Sequence, residues 1–196
     1  MSLLTVWSDA DATTPLIQTS DPEVIGRELA GVGVSYRRFD TRDDVPLDAG
    51  QEEVLAAYSD LVDGLVAEHG YTLIDVAQLH LSEESPESVK ETAAGARLKF
   101  LSEHTHDEEE IRFFSHGSGV FYLHIGDRVM GMLCTAGDLL SVPALTTHWF
   151  DMGTMPDFTA IRFFRTDDGW VGTFTGSDIA ERFPTHDALA EVASHA

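Results

Sequence analysis

Turn signals divide the second half of the chain at short intervals. From Leu98 onward, runs of Phe, Val, Ile, Leu and Tyr are interrupted by SHGSG, IGD, AGD and TGSD. Glycine beside Ser or Asp is typical of tight turns, and short apolar runs between such turns are typical of β-strands. The pattern predicts antiparallel hairpins that form a sandwich or small barrel, with an interior wide enough for one small ligand.

The first half has a mixed pattern, beginning with short strands in LLTVW and VSYRRFD. Between them, SDPEVIGRELAGVG predicts a helix. Ser20 or Asp21 can cap its start, Pro22 suits the first turn, and Gly31 or Gly33 can end it.

A second helix is predicted over residues 51–69, followed by Gly70 as its C-terminal cap. Its apolar stripe comprises Val54, Tyr58, Leu61 and Leu65. The polar stretch 82–97 is interpreted as a surface connection or a short helix.

We predict one domain over residues 1–184. It has a helical or mixed N-terminal part at 1–97 and a barrel core at 98–176. Residues 185–196 are predicted to be a flexible tail or a loosely docked helix.

The charge balance restricts the possible partners. Twelve Lys and Arg residues stand against 34 Asp and Glu residues, a formal charge of −22, which argues against binding to nucleic acid or to an anionic membrane. It also means that an anionic substrate would need positive charge placed locally. The start of the chain lacks the pattern of a signal peptide, and Cys134 is the single cysteine. We therefore expect a cytoplasmic, monomeric protein with a buried, inert thiol.

The stretch EHTHDEEEIRFF combines two histidines with five carboxylates. Alternate residues of a strand share a face, so His104 and His106 point the same way. DEEE is too charged for a barrel interior, and its first three residues are predicted to form an exposed turn. The strand then resumes with Glu110, Arg112 and Phe114 on its inner face. Parity therefore selects Glu110 as the carboxylate beside the two histidines.

Two imidazoles and one carboxylate suit a divalent transition metal. His148, in SVPALTTHWFDMG, lies far enough along the chain for a later strand to bring it back across the barrel. Four such ligands leave open positions for substrate or water. An H-x-H pair alone is a weak signal, because histidines at this spacing often lie on a solvated strand. The remaining histidines are not assigned as ligands: His69, His80, His116, His124, His186 and His195.

These residues resemble the two motifs of the cupin superfamily. The first motif is matched by His104, His106, Glu110 and Gly117, and the second by Gly137, Pro143 and His148. The sequence departs from the motifs at Leu98, Leu145 and Met152, which shape turns rather than bind metal. The resemblance implies a cupin-type antiparallel β-barrel, or jelly roll, with a few peripheral α-helices.

Within the cupins, the chain is most similar to the acireductone dioxygenase family over roughly residues 3–184. The similarity lies in KFLSEHTHDEEEIRFF, LHIGD, DLLSVPALTTHWFDMG, FTAIRFF and GWVGTFTGSDIA, in this order. It implies one Fe(II) or Ni(II) per chain and a reaction of O2 with 1,2-dihydroxy-3-keto-5-methylthiopentene, an acireductone of methionine salvage. The iron form would give formate and 2-keto-4-methylthiobutanoate. The nickel form would give carbon monoxide, formate and 3-methylthiopropanoate.

An acireductone binds as an anion, so its charge must be balanced. Arg112 is the first candidate for this role and Arg162 the second, because an arginine keeps its charge when buried. The alternative for either is a salt bridge to a nearby acid. An apolar wall for the methylthio tail is predicted from Phe100, Phe114, Phe150 and Phe164, although each could simply be core. A metal-dependent cupin isomerase and a non-catalytic ligand-binding cupin remain as alternative functions.

Overall fold

The computed structural model describes residues 1–167, 169 and 171–195. Its strands are β1 Leu3–Ser8, β2 Ile17–Thr19, β3 Ser35–Arg38, β4 Leu73–His80, β5 His104–Thr105, β6 Glu110–Ile125, β7 Arg128–Thr135, β8 Asp138–Val142, β9 Thr147–Asp151, β10 Asp157–Phe164 and β11 Thr173–Phe174. Its helices are α1 Pro22–Ala30, α2 Gln51–Ala57, α3 Ser59–His69, α4 Glu87–Phe100 and α5 His186–Ser194, with a 3₁₀ helix at Ile179–Arg182. Among the described residues, no helix has both the length and the apolar character needed to cross a bilayer.

The strands form two antiparallel layers that share the long strand β6. The C-terminal half of β6 lies in the first layer, ordered β11-β5-β9-β6-β7-β1-β2. Its N-terminal half lies in the second layer, ordered β4-β10-β6-β8-β3. Within the described part of the chain the ladders do not close into a ring. The prediction of a mainly β, jelly-roll architecture is confirmed, and the barrel interior is the space between the two layers.

Apolar side chains fill this interior and also cover both outer faces. The interior cluster includes Phe114, Phe121, Phe150 and Phe158. The outer face of the second layer, with Ile111, Phe113, Ile161 and Phe163, is covered by α2 and α3. The outer face of the first layer, with Trp7, Tyr122 and Trp149, is covered by the C-terminal segment, which contains the 3₁₀ helix and α5. Successive residues of β6 and β10 therefore point alternately into the interior cluster and into a cluster on an outer face.

Helix α1 begins and ends where its sequence predicts. The Asp21 carboxylate accepts hydrogen bonds from the backbone N–H groups of Glu23 and Val24, at 2.9 and 3.4 Å. Pro22 occupies the first turn, and Gly31 is the C-terminal cap. Asp21 satisfies N–H groups that have no partner within the helix.

The single helix predicted over residues 51–69 is wrong in one respect, because the chain forms two helices that meet at Tyr58. The Tyr58 backbone leaves the helical region at φ −109° and ψ 22°. Its ring packs against Phe113 with centroids 5.1 Å apart, and its hydroxyl accepts a hydrogen bond from the Arg42 N–H at 2.8 Å. These are contacts with distant residues, which apolar periodicity does not contain. The predicted cap at Gly70 is present, with φ 73°.

The stretch interpreted as a connection or short helix forms α4, which has 14 residues and continues to Phe100. Leu98 therefore lies in a helix and not at the start of the barrel. The first part of the chain also contributes strands β1 to β4 to the two layers. Position 98 is accordingly no structural boundary in the described chain.

Of the two alternatives predicted for the C-terminal residues, the described residues 185–195 form the docked helix, α5, and not a flexible tail. Thr185 caps α5 by accepting a hydrogen bond from the Ala188 N–H. Leu189 and Ala193, one helical turn apart, are buried against the outer face of the first layer. This apolar pair and the cap explain why the segment is ordered. Ala196 lies outside the described residues.

Gly117 allows β6 to pass from one layer to the other. It has φ 68°, and a Cβ atom at this position would lie 1.8 Å from the backbone oxygen of Asp157 in β10. Both the left-handed conformation and the close approach of two backbones exclude a side chain here.

We predict that Gly117→Ala lowers the free energy of unfolding by about 3 kcal/mol or more, because backbone atoms must move to admit the methyl group. Gly126→Ala is the matched control, since Gly126 has φ 64° but a Cβ atom added there would meet no atom within 4 Å. That control should cost about 1 kcal/mol, the penalty of the left-handed conformation alone. Chemical denaturation of both variants measures the difference, and equal losses would contradict this account of the corner.

Candidate metal centre

Strand pairing brings the three predicted histidines together. His104 in β5 and His148 in β9 are direct cross-strand partners, with ring centroids 4.5 Å apart. His106 follows β5, and its ring lies 5.0 Å from that of His104 and 5.2 Å from that of His148. All three are buried, and one ring nitrogen of each lies within 4.8 Å of the others. This spacing allows one ion to contact all three rings.

Backbone carbonyl groups fix the orientation of each ring. Nδ1 of His104 lies 2.7 Å from Ser102 O, Nδ1 of His148 lies 2.7 Å from Thr146 O, and Nδ1 of His106 lies 2.9 Å from Val171 O. A carbonyl oxygen can only accept, so each Nδ1 must carry the hydrogen. In the neutral form of each ring, Nε2 is then left with a lone pair, as a metal ligand requires.

Glu110 adds a carboxylate to the same centre. Its Oε2 lies 2.8 Å from His148 Nε2 and 3.7 Å from His106 Nε2. Among the described residues, Glu110 Oε2 and His148 Nε2 are both buried without a well-directed hydrogen bond. Two lone-pair atoms at this distance need a cation between them, which is either a proton or a metal. The four side chains therefore suit a divalent ion.

Burial and mutual charge shift the pKa values at this centre in different directions. Burial lowers the pKa of His104 to about 4, so this imidazole is neutral near pH 7. Burial also acts to lower the pKa of His148, but the adjacent Glu110 outweighs it and the pKa is raised. Burial would raise the pKa of Glu110, yet Arg112 and His148 hold it well below its usual range. Glu110 is thus an ionised carboxylate.

Arg112 lies on the inner face of β6, as parity predicts, and it contacts Glu110. Its Nη2 lies 2.6 Å from Glu110 Oε1, so the salt-bridge alternative is realised with the predicted ligand itself. The guanidinium also lies over the rings of Phe150 and Phe121, at 4.6 and 5.1 Å. Its Nε is buried and has no hydrogen-bond partner among the described residues. One buried donor of Arg112 is therefore left unsatisfied by the described residues.

Arg162 is the cross-strand partner of Arg112 and lines the same cavity. Asp75 accepts two hydrogen bonds from it, at 2.8 and 2.6 Å. This bidentate pair compensates the charge of Arg162 and relieves the repulsion between two facing arginines. Arg162 is thus a less available partner for an anion than Arg112.

A cavity of about 320 Å³ opens beside the centre, within the range of small-molecule sites. Three of the four predicted aromatic residues line it: Phe100, Phe150 and Phe164. Phe114 does not belong to the lining and lies behind Phe150 in the core, with ring centroids 6.5 Å apart. The prediction of Phe114 as a wall residue is therefore not supported by its position.

Other cavity residues were not predicted: Lys99, Gly169, Val171, Gly172 and Phe174. Phe174 belongs to β11, which pairs with β5 opposite His104. Lys99 lies on α4. The segment around Phe174 is rich in polar residues and glycine, and its sequence shows no alternation of apolar residues. Only its similarity to the family, in GWVGTFTGSDIA, could have indicated that it returns to the centre.

The loop before β9 departs from the usual backbone preferences. Leu145 has φ 63°, the left-handed region, and it stands where the cupin motif has glycine. Its N–H donates to His106 O at 2.8 Å. A non-glycine residue in this conformation costs about 1–2 kcal/mol. This hydrogen bond joins the segments that carry His106 and His148, and it offsets part of that cost.

Comparison with known proteins agrees with the family resemblance seen in the sequence. The model of the ARD/ARD' family matches residues 10–172. The chain belongs to this family. It is 57% identical to the acireductone dioxygenase of Saccharopolyspora erythraea over 96% of this chain and 98% of that protein. It is 53% identical to the acireductone dioxygenase of Frankia alni over 100% of this chain and 94% of that protein.

A solved structure supports the fold of this ARD/ARD' family member. It is the acireductone dioxygenase from Bacillus anthracis with a cadmium ion in its active centre, and it superposes with a TM-score of 0.72 at 24% identity. The match covers 89% of this chain and 98% of that one. The resemblance found in the sequence is confirmed, and the chain is an oxidoreductase of the dioxygenase class.

We predict that His148→Ala weakens the binding of Ni(II) at this centre by about 100-fold or more, because a ring nitrogen held in place by Thr146 is lost. His124→Ala is the matched control. His124 also projects from the first layer, but it lies 2.7 Å from Glu103 and outside the cluster. Competition titration against a chelator measures both affinities. Unchanged affinity in His148→Ala would contradict the ligand assignment.

Proposed function

We propose that His104, His106, Glu110 and His148 bind one Fe(II) or Ni(II), and that the enzyme reacts O2 with 1,2-dihydroxy-3-keto-5-methylthiopentene in methionine salvage. One observation carries the proposal: three buried imidazoles present lone pairs to one point, beside an ionised carboxylate. Neutral nitrogen donors with one charged oxygen suit Fe(II) and Ni(II). The relatives named above carry the name of this activity.

A bound divalent ion would act as a Lewis acid and a template for the two adjacent oxygens of the enediolate. The residues of the chain supply the surroundings. Glu110 and Arg112 offset each other's charge, and Asp75 offsets that of Arg162. A dianionic substrate would therefore be balanced by the ion rather than by an arginine. This differs from the sequence-based expectation that Arg112 has a charge to spare.

The role of Arg112 is then to orient the substrate. Its Nε–H is a buried donor without a partner among the described residues, on a side chain that lines the cavity, and we assign it to an oxygen of the bound enediolate. Its Nη2 meanwhile holds Glu110 in position. Such a fixed donor is more effective in a buried site than in water, because no solvent has to reorganise around it.

The aromatic wall receives the rest of the substrate. Phe100, Phe150 and Phe164 offer apolar surface to the methylthio tail, and their rings exclude water from the reactive anion. Phe174, half exposed and 5.8 Å from the His104 ring, also lines the cavity. Lys99 adds an exposed cation to the cavity lining of a strongly acidic protein. It would attract an anion toward the entrance.

We also propose that the protein is a monomer and that it is located in the cytoplasm. The formal charge of −22 supports the first, because like-charged copies repel each other. The second rests on the metabolic role, since the keto acid product is a precursor of methionine. Size-exclusion chromatography with light scattering tests the monomer.

Loss of acireductone with and without O2 distinguishes the three candidate functions. The Fe-loaded protein should consume acireductone only under O2, release formate, and place both atoms of ¹⁸O2 in the products. A cupin isomerase would consume it without O2, and a non-catalytic binding protein would not consume it in either case. Either of those results would overturn the proposal.

We predict that Arg112→Ala lowers kcat/KM by about 100-fold, equal to about 2.7 kcal/mol, through loss of one oriented donor. The variant should still bind the metal, because all four ligands remain. Arg37→Ala is the control: Arg37 has the same two kinds of contact, a carboxylate at 3.1 Å and an aromatic ring at 5.0 Å, but lies outside the cavity. Steady-state kinetics with metal analysis measure the effects. Unchanged kcat/KM in Arg112→Ala would show that another group orients the substrate.

A further inference from the structure

A second group of possible metal ligands lies in the second layer. His80 ends β4, Asp157 begins β10, and His116 lies in β6. One ligand atom of each lies within 4.8 Å of the others. His80 and Asp157 are direct cross-strand partners, and His116 stands opposite Thr159. Three adjacent strands thus bring two imidazoles and a carboxylate to one place.

This group faces away from the barrel interior. Asp157 and Thr159 alternate along β10 with Phe158 and Ala160, which belong to the interior cluster. Residues that alternate along a strand lie on opposite faces. The second group is therefore on the outer face and does not share an ion with the His104 centre.

A β-bulge turns His116 toward this face. With regular alternation, His116 would point inward like Phe114. The register shifts between Thr159 and Ala160, whose partners are His116 and Phe114, so Ser115 has no register partner in β10, although its hydroxyl donates to Thr159 O at 3.2 Å. One extra residue in β6 reverses the direction of the side chains that follow it, and bulges often redirect a side chain in this way next to sites. The bulge is what adds the third ligand to the pair formed by His80 and Asp157.

The ligand atoms of the group lie at hydrogen-bond distances, and an ion would hold them slightly further apart, at about 3.3 Å in a tetrahedral site. His80 Nδ1 lies 2.7 Å from one carboxylate oxygen of Asp157, and His116 Nε2 lies 3.3 Å from the other. His80 Nε2 lies 3.0 Å from the hydroxyl of Thr159, which is buried. If Nε2–H donates to this hydroxyl, the lone pair of Nδ1 faces Asp157. A hydrogen bond from the ring nitrogen that does not bind the ion commonly orients a metal-bound histidine.

Exposure would let an ion enter and keep water as a ligand. The side chains of His80, His116 and Asp157 are 22%, 39% and 53% exposed. Zn²⁺ takes histidine nitrogen and aspartate oxygen, and three protein ligands with one water complete a tetrahedral site. The strong negative charge of the chain also favours a cation.

We propose that His80, His116 and Asp157 form a second divalent-metal site, with Zn²⁺ as the best-suited ion, that joins β4, β10 and β6 on the outer face. It is independent of the proposed dioxygenase activity. The competing explanation is an ion pair in which protonated histidines contact Asp157 and no metal binds.

Equilibrium dialysis of the metal-free protein against Zn²⁺, followed by metal analysis, tests the proposal. The unmodified chain should bind about two Zn²⁺, one at each histidine cluster. His116→Ala should bind about one, and Asp157→Asn, which keeps the shape of the side chain, should do the same. In His148→Ala the second site should remain, so the loss of one centre is distinguishable from the loss of the other.

His69→Ala is the matched control, because the His69 ring lies 3.4 Å from the Glu68 carboxylate and belongs to no cluster of three ligands in the described chain. It should bind as much Zn²⁺ as the unmodified chain. Circular dichroism with chelator present establishes that the variants are folded. The proposal is overturned if folded His116→Ala or Asp157→Asn binds as much Zn²⁺ as His69→Ala. It is also overturned if His148→Ala binds none.

Discussion

The passage of β6 between two layers is the constraint on which the rest of the molecule depends. One strand pairs with β8 and β10 at its start and with β7 and β9 at its end. It can do so because Gly117 admits the backbone of β10 at a distance that excludes any side chain. The crossing sets Glu110 and Arg112 beside the histidines of the first layer. A sheet without this corner would leave carboxylate and imidazoles in separate layers.

The second organising feature is that nearly every charge near the centre has a fixed partner. Three backbone carbonyl groups determine which nitrogen of each imidazole carries its hydrogen. Arg112 holds Glu110, and Asp75 holds Arg162. Such pairing limits the cost of burying charges. Among the described residues it leaves two buried lone-pair atoms facing each other and one unpaired guanidinium donor, and these unmet interactions lie where an ion and a substrate would bind.

The sequence was sufficient to identify the four side chains that the structure brings together, but not their surroundings. Alternation along a strand, with one charged turn, selected Glu110 from five carboxylates, because the rule depends only on neighbouring residues. The break at Tyr58, the pairing of Arg112 with Glu110 and the position of Phe114 behind Phe150 depend on residues far apart in the chain. The same holds for Phe174, which reaches the centre through β11. His116 shows the limit of the rule itself, since one unpaired residue in β6 reverses the side on which it lies.

The docking of α5 has a consequence for biosynthesis. Leu189 of this helix packs in the same cluster as Trp7 of β1, and the His186 N–H donates to Asp151 at the end of β9. Strand β9 also carries His148. Because α5 is translated after every strand of the two layers, the support behind β9 is missing until this helix has left the ribosome. The strand that carries His148 thus gains part of its support from a later segment that contributes no ligand to the centre.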